Sequence, residues 1–398
     1  MGIFVGILPF IIRGAIALIA IKPFIEWFLQ RRKFVNTINS IPGFPSYPLI
    51  GSLWITFHLE REEIINFALA RPKFFPDGIS HAWLGPFPEV RVDTAELAQE
   101  VLLSKKCFAK ARIYDLMIGG WIGNGLVLNT GEKWFKHRRL LTSTFHFDIL
   151  NKYCVVFQKK ADVLCDVLEK YSKSGETFNI AEYFYRLTFD AILETAFGLQ
   201  LDIQRDNDCA YLRASEEIGE IAVNRVKNPL FLNSFIFKMS PLGRRAKKVL
   251  KVLHDFSNKV IKDRREELKE RKFNTEEDDI CFLNLLLRES QTNTFLTDKD
   301  IREEVDTFMF AVRLTPVFIN EFISIIYLFK GHDTTATMLS WTILLIGNHP
   351  SVQQAIYDEQ VTLFGHDKTP PTQKDLPKMQ YLERTIKECV CLLFFILF

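Results

Sequence analysis

The chain has 398 residues, 48% hydrophobic and 25% charged, which is ample material for a large core and excludes a disordered polymer. Fifty Lys and Arg stand against 48 Asp and Glu, a net charge of only +2, so no global charge recruits nucleic acid and none is expected as a partner. The seven cysteines (107, 154, 165, 209, 281, 389, 391) are scattered and form no CxxC pair, which argues against a disulfide scaffold or structural zinc and for a reducing compartment. The 36 phenylalanines suit a protein that builds large apolar pockets or sits partly in lipid.

From Gly2 to Ala20 the chain is apolar apart from Arg13, long enough to cross the hydrocarbon core of a bilayer. The cluster Arg31-Arg32-Lys33 that follows marks the next part of the chain as cytoplasmic. A cleaved signal peptide and a buried helix are the alternatives; no basic residue precedes the apolar run, which favours an anchor. Residues 1–33 are therefore read as a membrane anchor with a basic flank. Residues 34–50 contain Ile41-Pro42-Gly43-Phe44-Pro45-Ser46-Tyr47-Pro48, a proline-rich stretch that reads as a stiff, extended hinge.

Apolar runs around Leu49 to Trp54 and Glu89 to Val92 are expected to pair as strands, with a helix from Glu60 to Ala70 between them. Beyond about residue 95 the periodicity is helical. Tyr153, Val156, Phe157, Ala161, Leu164 and Leu168 recur at spacings of three and four, an amphipathic stripe. Arg244 to Lys272 is a long charged helix with Val249, Val252, Leu253, Phe256, Val260 and Ile261 as its apolar positions, and its charges read as a solvated face. A polar loop is expected over Asn274 to Asp279. Thr297-Asp298-Lys299-Asp300 has the spacing of a capping box, and Ile301, Val305 and Phe308 mark the buried face of the helix it opens. The expected fold is mainly α: one helical domain with a small β-sheet on its N-terminal side.

That helix is interrupted. The nineteen residues from Val312 to Lys330 contain Pro316, which removes a backbone donor, and then a run of β-branched and aromatic residues. At roughly 100° per residue, the insert turns everything downstream by about 100°. With it removed, Asp306-Thr307-Phe308-Met309-Phe310-Ala311 runs into Gly331-His332-Asp333-Thr334-Thr335 and the apolar phase continues through Met338 and Leu339. Valine codons begin with GT, a lysine codon can end in AG, and Ile, Tyr, Leu and Phe come from T-rich sequence. Residues 312–330 are accordingly expected to be a translated intron, with a lineage-specific insertion as the alternative.

The rejoined Ala311-Gly331-His332-Asp333-Thr334-Thr335 resembles the oxygen-activation motif of cytochromes P450, (A/G)-G-x-(D/E)-T-(T/S). Trp134-Phe135-Lys136-His137-Arg138 resembles the W-x-x-x-R helix of the same family, and Trp and Arg four apart share one helix face. The similarity extends through Gly85 to Val92, Asn348-His349-Pro350, and Tyr381 to Glu388, and covers residues 41 to 388 apart from the insert. The spelling is closest to the microsomal family 4 type of insects. The resemblance implies the cytochrome P450 fold and haem as cofactor. Ala311 and Gly331 would form the oxygen-binding groove, Thr334 would hydrogen-bond dioxygen, and Asp333 would relay protons to it. Trp134 and Arg138 would hold a haem propionate, where a guanidinium suits a carboxylate. Read without the family, the motif is a helix with Thr buried and Asp exposed, and W-x-x-x-R is a surface pair.

The chain departs from the family after Glu388. The expected E-x-x-R ion pair, a structural core motif, is replaced by Glu388-Cys389-Val390-Cys391, and cysteine cannot supply that pairing. The loop that carries the family's thiolate ligand does not occur, and residues 389–398 read as translated non-coding sequence. Residues 51–398 are thus expected to be a truncated cytochrome P450 domain, inactive as written. The other cysteines read as small buried hydrophobes, so no metal ligand is assigned. Family 4 members often carry Glu before the motif glycine for covalent haem attachment; Ala311 or Lys330 stands there, which excludes it.

The implied function is a haem-dependent monooxygenase that inserts one oxygen atom from O2 into an apolar substrate such as a fatty acid, hormone or xenobiotic. Electrons would come from NADPH through cytochrome P450 reductase, with cytochrome b5 as a further partner, at the endoplasmic reticulum membrane with the catalytic domain cytoplasmic. The alternative is a non-catalytic, membrane-anchored helical fragment or pseudogene product. Substrate contacts are expected from Leu116 to Leu128, Val226 to Ser240 and the central helix. Lys136 and Arg139 are candidates for docking an acidic redox partner, although a solvated face accounts for them equally well.

Overall fold

The computed structural model describes all residues except 1–21, 24, 48–49, 56–60, 105, 108, 143–146, 207–208, 271–280, 293–295, 313–333, 366–370, 373 and 398. The span expected over Gly2 to Ala20, the loop over Asn274 to Asp279 and nearly all of the insert lie outside the described residues. Among the described residues no helix is long and apolar enough to cross a membrane. The chain divides into two compact units, one formed by residues 1–59 and 70–104, the other by 60–69 and 105–398.

In the first unit, backbone 25–39 is helical and leads to an antiparallel pair, β1 (Ile79–Leu84) and β2 (Phe87–Val92), in register from Ile79 opposite Val92 to Leu84 opposite Phe87. Gly85, at φ +59°, makes the tight connection possible. Trp83 ties the helix to the sheet: its indole donates to Asn39 Oδ1 at 2.9 Å, Phe34 packs edge-on, and the Arg31 guanidinium lies 5.4 Å from its ring. The proline-rich stretch runs along β1, where Pro42 O accepts from the His81 amide at 2.8 Å.

The strand expected from Leu49 to Trp54 does not form; its described part is a turn with a 3-10 helix at Leu53–Ile55. Gly51, at φ +66°, sits so close to Trp83 O that a Cβ would lie 2.1 Å from it, so the chain makes a close approach there instead of extending. The true partner of β2 is β1, which four consecutive buried residues, Ser80 to Trp83, hide from any test for alternation. The expected helix before it is present as α1 (Arg61–Phe74), and α2 (Ala95–Leu103) starts at Thr94, whose hydroxyl accepts from the Leu97 amide.

The second unit is helical. Its elements are α3 (Gly131–Thr142), α4 (Phe147–Ser174), α5 (Ile180–Phe197), α6 (Ala210–Lys227), α7 (Pro241–Glu270), α8 (Phe282–Thr292), α9 (Asp298–Val312), α10 (Thr334–Gly347), α11 (Pro350–Phe364) and α12 (Gln380–Leu397). Helical turns over 112–122 precede α3, with a π-helical stretch at Asp115–Gly119. As expected, α10 closes at Asn348-His349-Pro350: Asn348 N bonds to Leu344 O and Leu345 O, and Pro350 opens α11.

Two clusters form much of the core. Leu164 of α4, Phe184 and Tyr185 of α5 and Ala336 of α10 pack together, with Leu339 against them. Around α9, Trp121 meets Phe310 edge-on at 5.3 Å and Phe189 stacks on Tyr211 at 5.1 Å. The α4 stripe is only partly core, because Phe157 is exposed while Lys160 is buried. Lys160 Nζ lies 3.1 Å from Asp190 and 2.9 Å from Glu194 of α5. Burial alone would lower the lysine pKa, but its two carboxylates hold it above the ordinary value; Asp190, buried and sharing one ammonium, is raised. On α7, Val249, Leu253, Val260 and Ile261 are buried as expected and Val252 is exposed.

Candidate functional site

The site is organised by α9, whose start follows the sequence. The Asp300 amide donates to Thr297 Oγ1 at 3.2 Å and the Thr297 amide donates to Asp300 Oδ2 at 2.9 Å, the reciprocal bonds of a capping box. The other oxygen, Oδ1, receives Lys133 Nζ from α3 at 2.6 Å. Burial would raise the Asp300 carboxyl, but Lys133 and Thr297 hold it below its usual value.

One turn along both helices a second tie forms. His137 Nδ1 of α3 lies 2.7 Å from Glu304 Oε1 of α9, with both side chains buried. Glu304 Oε2 accepts from the Leu126 amide at 3.2 Å. The connecting loop must run against α9 for this. Cβ atoms on Gly123 and Gly125 would fall 2.2 Å from Glu303 Oε1 and 2.0 Å from Thr307 Oγ1, and Gly125 would also meet Glu303 O at 2.5 Å.

The expectation of one buried face on α9 is too simple. Ile301 and Val305 are fully buried, but so are Glu304 and Asp306, and Glu303 and Thr307 nearly so, while Phe308 is only partly buried and the first turn, at Asp298 and Lys299, is exposed. Asp306 Oδ1 accepts from Ser257 Oγ of α7 at 2.5 Å, and Oδ2 lies 3.8 Å from His254 Nε2 and 4.0 Å from Arg302. Burial pushes the Asp306 carboxyl up to about 7. The expected substrate-contact stretch does reach α9, through Leu126 to Glu304 and Trp121 to Phe310. It also meets Arg225, the residue just before the Val226 to Ser240 region, whose Nη1 donates to Leu116 O at 2.6 Å.

Of the residues singled out from sequence, Trp134 is half-buried and Arg138 exposed on α3, on a different helix face from Lys133 and His137. Gly331 and Asp333 lie outside the described residues, as do the side chains of Ala311 and Thr334. Glu388 is exposed on α12. Lys136 is exposed and pairs with Glu132 at 2.9 Å. His137 and Glu304 carry no motif of their own. The available signal was that His137 follows Lys133 by four, just as Glu304 follows Asp300, which allows two parallel ties between helices.

A family model for cytochrome P450 matches residues 41–315 and 322–392. The chain belongs to the cytochrome P450 family. Among curated proteins it is 35% identical over 360 residues to cytochrome P450 4c21 of Blattella germanica, covering 88% of this chain and 67% of that one. It is 33% identical to cytochrome P450 4c3 of Drosophila melanogaster over 90% of this chain and 66% of the other. With cytochrome P450 4V2 of Mus musculus the identity is 33%, over 94% and 69%. These relatives place the chain with the insect-like family 4, and it spans about two thirds of their length. The crystal structure of a cytochrome P450DA heme domain superposes with a TM-score of 0.64 over 88% of this chain and 69% of the other at 22% identity, and shows the shared fold. Membership makes this a monooxygenase enzyme family, with haem as cofactor and electrons from NADPH.

The side chains fit that cofactor in part. Trp134 and Arg138 supply an accessible indole and guanidinium suited to a carboxylate. An axial thiolate is not among the described residues. Burial pushes the Cys281 thiol up to about 11, and it donates to Ala196 O at 2.7 Å; the buried Cys389 thiol is likewise raised by burial. Cys154 and Cys209 are half-buried, and Cys107, Cys165 and Cys391 are exposed, which corrects the expectation that all are buried hydrophobes.

Proposed function

We propose that this chain belongs to a membrane-anchored monooxygenase that uses NADPH, through a reductase, to insert one atom of O2 into an apolar substrate at the endoplasmic reticulum membrane. Fatty acids, hormones and xenobiotics are the candidate substrates, and cytochrome b5 is a candidate second electron donor. The observation that carries the reading is the double tie between α3 and α9, Lys133 to Asp300 and His137 to Glu304, which holds the W-x-x-x-R helix against the helix that leads into the oxygen motif. In this reading Trp134 and Arg138 bind a propionate. Ala311 and Gly331 keep the helix clear of side chains where dioxygen sits, Thr334 donates a hydrogen bond to it, and Asp333 supplies the proton. Glu388 belongs to the core motif of α12.

The test uses the full gene product in membranes with its reductase. Thr334→Ala is expected to lower product formed per NADPH consumed by about tenfold or more while haem content is kept. Unchanged coupling would remove Thr334 from the site, and a product without haem would remove the activity.

We further propose that residues 312–330 are translated intron sequence. The gap in the family match, 316–321, falls inside this segment, and its removal restores one continuous motif. Sequencing the transcript across Ala311 and Gly331 decides it: a mature message that still encodes all nineteen residues sinks the proposal.

A further inference from the structure

The charged run of α7 has a face that is more than a solvated surface. Arg244, Lys247 and Lys251 follow one another at spacings of three and four and line one side of a cleft of about 1000 Å³. Residues 115–120, Arg225 with the short helix Ser234–Met239, and Arg302 of α9 complete its walls. Among the described lining residues, Arg225, Lys238, Arg244, Lys247, Lys251 and Arg302 stand against two carboxylates, Asp115 and Asp255. In a chain whose net charge is +2, such an excess is local.

Arg302 lies 4.0 Å from Asp306, but the lysines of the cleft are not consumed by internal ion pairs. Lys238, Lys247 and Lys251 have no acidic partner among the described residues, in contrast to Lys136, Lys173 and Lys262, each paired with a glutamate four residues away on its own helix. Arg225 is rigidly set, bonded to Leu116 O at 2.6 Å and Ser234 Oγ at 3.0 Å, with its guanidinium 4.1 Å from the Phe237 ring. Burial lowers its pKa, the mark of a cation held in a poorly solvated wall. Arg244 Nη1 is anchored on Met239 O at 2.8 Å. Small residues hold the walls close: a Cβ on Gly243 would meet Phe237 O at 1.9 Å and one on Gly120 would meet Leu250 at 3.3 Å.

We infer that this cleft binds a phosphate-bearing ligand of nucleotide or lipid-headgroup size. Several unneutralised cations around a concave space suit a polyanion better than a single carboxylate, because each added negative oxygen meets a further donor. The volume matches a drug-sized or nucleotide-sized ligand and far exceeds a lone ion. Aromatic Phe237 and aliphatic Leu250 and Leu116 give the less polar part of such a ligand a surface.

The experiment takes the full chain in neutral phosphatidylcholine nanodiscs and measures broadening of the 31P line of inorganic pyrophosphate. A parallel arm measures binding to phosphatidylcholine vesicles with and without phosphatidylinositol bisphosphate. Lys247→Gln with Lys251→Gln is expected to weaken binding by about tenfold or more, whereas Lys248→Gln with Lys259→Gln, an equal charge loss on the same helix outside the cleft, changes it by less than about twofold. Binding of pyrophosphate identifies a soluble source, and binding only to the phosphoinositide vesicles a lipid one; both uphold the cleft. No binding in either arm, or equal loss in the two double variants, overturns it. Lys238→Gln, at an exposed position, is the second variant should the cleft pair fail to fold, and Lys251→Arg, which keeps the charge, is expected to retain affinity.

Discussion

His137 Nδ1 of α3 lies 2.7 Å from Glu304 Oε1 of α9, and neither side chain reaches solvent. Removing one partner leaves the other buried without its bond, so His137→Ala is expected to cost about 3 kcal/mol in urea unfolding. Glu304→Gln keeps one oxygen where two bonds are now accepted, from Leu126 and at His137, and should cost less. A double variant costing the sum of the two would show that the pair is uncoupled and defeat the prediction.

Asp306 gives a pH dependence. Its folded pKa, about 7, stands above its ordinary 3.8, so the native state holds a proton that the unfolded chain releases. The stability linked to this group is therefore fully present below about 4, falls as pH rises, and is lost above about 7. The groups that face it are Ser257 and His254 of α7 and Arg302 and Glu303 of α9; burial lowers the pKa of His254, which favours its neutral imidazole. Asp306→Asn should flatten this slope in thermal unfolding profiles. A slope identical to that of the parent assigns it elsewhere.

Gly125 is expected to tolerate no side chain. The atom its Cβ would meet at 2.5 Å, Glu303 O, is backbone of α9 and cannot swing aside. Gly125→Ala should lower stability by about 2 kcal/mol or more, read by chemical denaturation. Gly175→Ala, with open space around it but φ at +69°, should cost only about 1 kcal/mol.

Lys160 neutralises Asp190 and Glu194 together. Lys160→Met should therefore destabilise by about 3 kcal/mol and Asp190→Asn by less, since Glu194 still serves the ammonium. Equal losses would mean that the two carboxylates do not share the charge.

What could be read in advance was local. The capping box at Thr297 and Asp300, the Pro350 helix start and the W-x-x-x-R spacing are set by residues a few positions apart, and each stands where expected. Partner choice was not legible. Glu304 and Asp306 look like ordinary solvated acids until α3, 167 residues upstream of Glu304, and α7, 49 residues upstream of Asp306, close over them. The first strand was misplaced because four successive buried residues carry no two-residue period. The charges of α7 looked like one population, whereas packing separates those in a cleft from those outside it.

Asp300 divides its two oxygens between jobs that ordinarily fall to separate residues: Oδ2 closes the first turn of α9 and Oδ1 tethers Lys133. Fraying of that turn and loosening of the Lys133 end of α3 therefore pass through the same carboxylate. Backbone amides at the start of α9 and on the α3 face that meets it should exchange with deuterated solvent at a common rate, as one cooperative unit.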